Sequence, residues 1–145
     1  MQGDFEAIAD SALSPSEIWE YLIDARSWPR WGTVDELVIA QSAGLSPDGH
    51  DKVGAVRAFR TGKITTSERI IELRPGRLFV YGDAVNPVMS DYRAEIQLSP
   101  VANGGTLITW SGRYTTPFPT GLFLRPFLRR TMRKMVHGLA AAPHR

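Results

Sequence analysis

The sequence predicts an α+β fold in which an antiparallel meander of strands is covered by one long C-terminal helix. Three observations carry this. From Asp35 to Thr115, strand-like runs alternate with turn-rich separators. Those separators are short, which joins successive strands as antiparallel neighbours. After Pro117 the period becomes helical: Leu128, Met132, Met135, Val136 and Leu139 share one side, and Arg129, Arg130, Arg133, Lys134 and His137 take the other. A sheet with one apolar face must cover it, and this helix is the obvious cover.

The elements follow in order. Asp4 to Ser11 is a first strand. Ser14-Pro15-Ser16-Glu17 supplies the N-cap serine, N1 proline and N3 glutamate of a capping box. The helix it opens carries Ile18, Trp19 and Leu22 and runs to about Asp24. Pro29 and Gly32 bound the segment Ser27-Trp28-Pro29-Arg30-Trp31-Gly32 to a second short helix or turn. Six strands are expected near 35–42, 52–60, 63–73, 77–84, 90–99 and 105–115. Pro126 marks the start of the last helix or a kink near it.

Composition narrows the function classes. The 145 residues suit one domain, spanning 1–145, and 43% hydrophobic with 22% charged residues is ordinary for a globular protein. There is no cysteine, hence no disulfide, thiol nucleophile or Cys-based metal site. The segment MQGDFEAIAD has acids and no apolar core, so no secretory signal is expected, and a cytoplasmic protein is. A net charge of +2 is too small for a nucleic-acid footprint. The basic residues of the last helix read first as a solvated face; contact with an anionic membrane or an acidic protein is the less favoured alternative. Monomer and homodimer are both open.

The hairpin around Thr61-Gly62-Lys63 is the most informative local feature. Folding about Gly62 sets Arg57 opposite Glu68. Composition alone favours a surface pair, because Arg and Glu are seldom buried. The other reading is the polar end of a cavity. On strand 90–99, Tyr92, Ala94, Ile96 and Leu98 alternate with Arg93, Glu95 and Gln97. On the next strand Ile108, Trp110, Gly112 and Tyr114 share a face. Pairing these strands sets Ala94 against Trp110 and Gly112 against Tyr92. Tyr81 and Tyr92 become neighbours through the Asn86-Pro87 turn. These aromatics, with Phe59, suit a core and a cavity lining equally well.

At these residues the chain resembles a known family. The element order, the Val53-Gly54-Ala55-Val56-Arg57 and Ser67-Glu68-Arg69 segments, the tyrosine on the following strand, Gly104-Gly105-Thr106 leading to Trp110, and the final helix are similar to the START-like (SRPBCC) superfamily. The nearest branch is the polyketide cyclase/dehydrase and lipid-transport type. Plant abscisic acid receptors are more distant members with a similar hairpin. The resemblance implies a helix-grip fold: a seven-stranded antiparallel sheet wrapped around the C-terminal helix, two short helices, and a long cavity between. It turns Arg57, Phe59, Glu68 and Tyr92 inward. Loops 61–63, 86–90 and 117–122 would ring the mouth. The receptors' proline-containing gate is missing from Arg60-Thr61-Gly62-Lys63-Ile64, so hormone binding is not implied.

The expected ligand is a small hydrophobic molecule such as a lipid, polyketide or isoprenoid. Its expected contacts are Trp31, Arg57, Phe59, Thr66, Glu68, Tyr81, Tyr92, Trp110, Phe127, Leu128, Thr131 and Met135. The alternative is a polyketide cyclase, aromatase or dehydratase, with Glu68, Arg57 and Tyr92 as candidate acid–base groups. No cofactor is expected. His50, His137 and His144 have no ligand-spaced partners, so no metal is expected.

Overall fold

The computed structural model describes residues 1–145. Its strands are β1 (Gln2–Ser11), β2 (Glu36–Leu37), β3 (Val56–Thr61), β4 (Ile64–Arg74), β5 (Leu78–Val85), β6 (Ser90–Pro100) and β7 (Thr106–Thr115). The helices are α1 (Pro15–Ile23), α2 (Trp28–Trp31) and α3 (Thr120–Ala140), with single 3-10 turns at Ala25–Ser27 and Ile39–Gln41. All seven strands form one antiparallel sheet in the order β1-β7-β6-β5-β4-β3-β2. This is the expected α+β helix-grip architecture. The capping box also forms: Ser14 Oγ accepts from Glu17 N, while Glu17 Oε1 accepts from Ser14 N.

Four boundaries or registers differ from the sequence reading. The segment 35–42 pairs only at Glu36 and Leu37, then turns through Ile39–Gln41 and rejoins the sheet at Ala43, which bridges Val56. Strand 52–60 starts four residues late, because Gly54 adopts a φ of +95°. Helix α3 begins at Thr120 and carries Pro126 within it. That proline sits on the exposed side, where solvent can satisfy the carbonyl it leaves free.

The fourth difference is in the β6–β7 pairing. Ala94 faces Gly112, and Ile96 faces Trp110. The connection is the whole of Val101–Gly105, closed by Val101 N to Gly105 O and Gly104 N to Val101 O. The pairing therefore slides two residues from the expected one and keeps every side chain on its face. Small now meets small, and the space above Gly112 holds the ring of Phe5 from β1, whose atoms lie 2.5 Å from where a Cβ would sit.

The β3–β4 register is as read, with Arg57 opposite Glu68. Pairing continues to Thr61 and Ile64, leaving Gly62-Lys63 as the turn, and Gly62 takes the φ of +61° that such tight turns require. Helix α3 buries Leu128, Met132, Met135, Val136 and Leu139, mostly against β1. At Gly138 it approaches α2 so closely that a Cβ would lie 2.0 Å from the Trp31 carbonyl oxygen.

Candidate site between the β3–β4 hairpin and the aromatic core

Strand β4 shows how the sheet face is used. Its alternate residues Ile70, Glu68, Thr66 and Ile64 are 1% exposed, 8% exposed, half-buried and 44% exposed in turn. One face therefore runs from core to solvent along a single strand. Its open end is ringed by the β3–β4 turn, the β5–β6 loop and the β7–α3 connection, because Thr61, Ile64, Val85, Ser90, Thr115 and Gln2 terminate the paired ladders there.

The closed end is filled by rings. Trp28 stacks on Phe59 with centres 5.2 Å apart, and meets Trp31 at 4.9 Å and Trp110 edge-on at 5.6 Å. Tyr81 lies 5.9 Å from Tyr92 and accepts a hydrogen bond from Trp110 Nε1 at 3.0 Å. Such tilted and edge-on pairs suit the ring quadrupoles. Trp31 donates to Ser27 Oγ, and Thr33 N lies on Met135 Sδ, so α2 and α3 lock together here.

Arg57 sits at the boundary and is fully buried. Its Nη1 donates to the Leu22 carbonyl at 2.8 Å. The guanidinium carbon lies 4.4 Å from the centre of the Trp28 ring and 5.0 Å from that of Phe79. Asp51 and Glu68 each stand 3.8 Å away, too far for hydrogen bonds. Arg57 Nε and Nη2 and Glu68 Oε1 have no hydrogen-bond partner. A buried polar atom without a partner costs about 1–3 kcal/mol, more for a charged group, so three together call for an explanation.

Burial pushes the Glu68 carboxyl up to about 7, although the Arg57 charge pulls the other way. Burial likewise lowers Arg57, against the pull of Glu68 and Asp51. Burial raises Tyr81 and Tyr92, so both hydroxyls stay protonated donors at neutral pH. The cluster thus offers fixed donors around one carboxyl that holds a proton part of the time.

Of the expected contact residues, Trp31, Phe59, Tyr81, Tyr92 and Trp110 share one aromatic cluster beside Arg57. Trp31, Arg57, Phe59, Glu68, Tyr81, Tyr92, Trp110, Leu128 and Met135 are buried, and Thr66 and Thr131 are half-buried. Phe127 departs from this: it is 64% exposed. It lies about 100° around the helix from inward-facing Leu128, which takes the interior position. The sequence reading did not set Trp28 against Arg57. It also missed Asp51, which holds Ala25 N and Ser46 N beside Arg57. The Trp-Pro-Arg-Trp cluster was a signal for the first; a lone aspartate in a turn-rich loop gave none for the second. Two clefts of about 690 and 640 Å³ lie elsewhere, lined by residues of β1, β6 and β7 such as Glu6, Arg93, Glu95 and Arg113, and neither takes in Arg57 or Glu68.

A seven-stranded antiparallel sheet gripping one long C-terminal helix, with short helices beside it, is the START-like helix-grip fold. Residues 2–142 match the family described as polyketide cyclase/dehydrase and lipid transport, and the chain belongs to it. A protein of Mycobacterium tuberculosis described as uncharacterized is 29% identical over 144 residues, covering 93% of this chain and 81% of its own. A START superfamily protein from Mycobacterium smegmatis superposes with a TM-score of 0.74 at 11% identity, covering 94% of each chain. Norcoclaurine synthase from Thalictrum flavum superposes at 0.71 with 15% identity, covering 97% of this chain and 92% of that one.

Proposed function

We propose that this protein binds a small, mainly apolar molecule through one polar end, held at Glu68 and Arg57 under the mouth of the sheet. The observation that carries the proposal is the trio of unpartnered buried atoms, Arg57 Nε, Arg57 Nη2 and Glu68 Oε1. Two donors beside an acceptor suit an oxygen function such as a carboxyl, enol or phenol. Tyr81 and Tyr92 offer aromatic surface next to it. At about 3.3 Å per residue, Ile64 at the rim stands about 13 Å from Glu68, which sets the depth of the site. Because rings fill the closed end, the ligand's body belongs in the outer part, near Thr66 and Thr131. Lipid, polyketide and isoprenoid bodies all fit that description, and family membership supports it.

Native mass spectrometry on the purified protein, before and after organic extraction, tests this. An adduct of a few hundred daltons that extraction removes is expected, and it is weakened by Glu68→Gln. A bare chain, even after incubation with a fatty acid and with an aromatic polyketide, contradicts it.

One observation favours a second reading, catalysis. A carboxyl near 7 exchanges a proton at neutral pH, as a general acid–base must. In a cyclase or dehydratase Glu68 would take a proton α to a ligand carbonyl, and Tyr92 would donate to that oxygen. Glu68→Gln and Tyr92→Phe would then abolish turnover of a poly-β-ketone while binding survives. Full activity in both variants removes the assigned roles.

A further inference from the structure

The site accounts for the inward face of α3 and leaves its outward face unexplained. Phe118, Leu122, Phe123 and Phe127 are between 54% and 76% exposed. They cluster on the first half of α3 and its lead-in, at the mouth end of the sheet. Thr116 Oγ1 donates to the Val88 carbonyl, which ties this segment to the β5–β6 loop, where Val85 is 71% exposed. Isolated exposed apolar residues are ordinary, but adjoining phenylalanines on one helix face mark a contact surface.

Charge identifies what is contacted. Helix α3 contains Arg125, Arg129, Arg130, Arg133 and Lys134 and no acidic residue. Arg129 pairs with Asp4, and Arg125 donates to the Gln2 carbonyl. Arg130, Arg133 and Lys134 are exposed, and among the protein's ion pairs and side-chain hydrogen bonds none involves them. Phe123, Phe127, Arg130 and Lys134 recur at i, i+4, i+7 and i+11, so they form one stripe, apolar first and basic second. Along the axis the basic groups begin about 10 Å from Phe123, at 1.5 Å per residue. A bilayer surface has the same order, with acyl chains below and anionic headgroups about 5–10 Å above.

We infer that the mouth end docks on an anionic phospholipid surface, with Phe118, Leu122, Phe123 and Phe127 inserted and Arg130, Arg133 and Lys134 at the headgroups. A second copy fits less well. A two-fold interface through this face would gather the basic residues of both copies with no acidic residue of α3 to pair them. Docking would bring the mouth onto the membrane, so an apolar ligand could cross without passing through water. The docking itself stands whether or not the ligand reading holds, because the outward face does not include Glu68 or Arg57.

Flotation with extruded vesicles tests it. Vesicles of phosphatidylcholine and phosphatidylglycerol in a roughly 3:1 ratio should bind the protein, and pure phosphatidylcholine should bind it weakly, since each basic residue near an anionic surface adds to affinity. Raising salt to about 0.5 M should release it. Phe123→Ser with Phe127→Ser should weaken binding about tenfold or more. Arg130→Glu, Arg133→Glu and Lys134→Glu together should weaken it roughly a hundredfold. All five positions are exposed, and unchanged melting temperatures show that the variants fold. Failure of the unaltered protein to bind phosphatidylglycerol vesicles overturns the inference. So does binding that survives the two serine substitutions. A dimer in light scattering that the same two substitutions dissolve overturns it as well, since the patch would then belong to a second copy.

Discussion

The two ends of this sheet do different work with the same chemistry. At the closed end Trp28, Trp31, Phe59 and Trp110 are packed ring on ring, and their polar atoms are spent on neighbours. At the mouth, phenylalanines face outward and strand β4 climbs from the core to solvent within four alternate residues. Aromatic content alone therefore says little about where a ligand goes. What separates the ends is whether polar atoms are satisfied: three of the five buried polar atoms without a partner lie where the two meet, at Arg57 and Glu68, and the other two are Tyr114 Oη and Arg125 Nε.

The largest effect should come from removing the residue at that boundary. Arg57→Met takes one charge from a buried cluster and strips a donor from the Leu22 carbonyl, so a loss of about 3–5 kcal/mol is expected in denaturant unfolding. A loss under about 1 kcal/mol, the range of surface pairs, would place Arg57 outside the packed end.

Next comes pH. The carboxyl of Glu68 is raised from an ordinary 4.5 to about 7. A group raised in the folded state is destabilising when ionised: its contribution is fully favourable below pH 4.5 and is lost as pH rises through 7. At 1.36 kcal/mol per pH unit, the stability of the parent relative to Glu68→Gln should fall by about 3 kcal/mol between those limits. A flat difference would mean that the carboxyl is solvated and belongs to the mouth.

At the closed end, Gly138→Ala drives a methyl into the Trp31 carbonyl. The gain in helix propensity is smaller than this overlap, and a net loss of about 1–3 kcal/mol is expected in thermal unfolding. The smallest effect is at the rim. Ile64→Ser should change stability by no more than about 0.5 kcal/mol, as exposed substitutions do, while weakening retention of the bound molecule in native mass spectrometry. A large stability loss there would erase the distinction between the ends.

Much of this was legible in the chain. Turn residues spaced the strands, the helical period gave α3, and Gly62 set the hairpin register that pairs Arg57 with Glu68. Alternation did not settle the side on which that pair lies, because both faces of β4 mix polar and apolar residues; the family resemblance turned it inward, and burial among α1, α2 and β5 is what the structure shows. Register between β6 and β7 depended on how much of Val101–Gly105 was loop, a matter of local hydrogen bonds. Phe127 was expected among the lining residues, but it is one helical step, about 100° of rotation, from inward-facing Leu128 and faces solvent. Asp51 joins the site through tertiary contacts alone.

The central claim is that Arg57 and Glu68 wait for a ligand's polar end. A crystal structure of the purified protein tests this most directly. We expect elongated density placing an oxygen about 3 Å from Arg57 Nη2 and Glu68 Oε1, its body running outward near Thr66 and Thr131. Arg57 and Glu68 rotated into a direct hydrogen-bonded pair, with side chains filling the space above them, would contradict it.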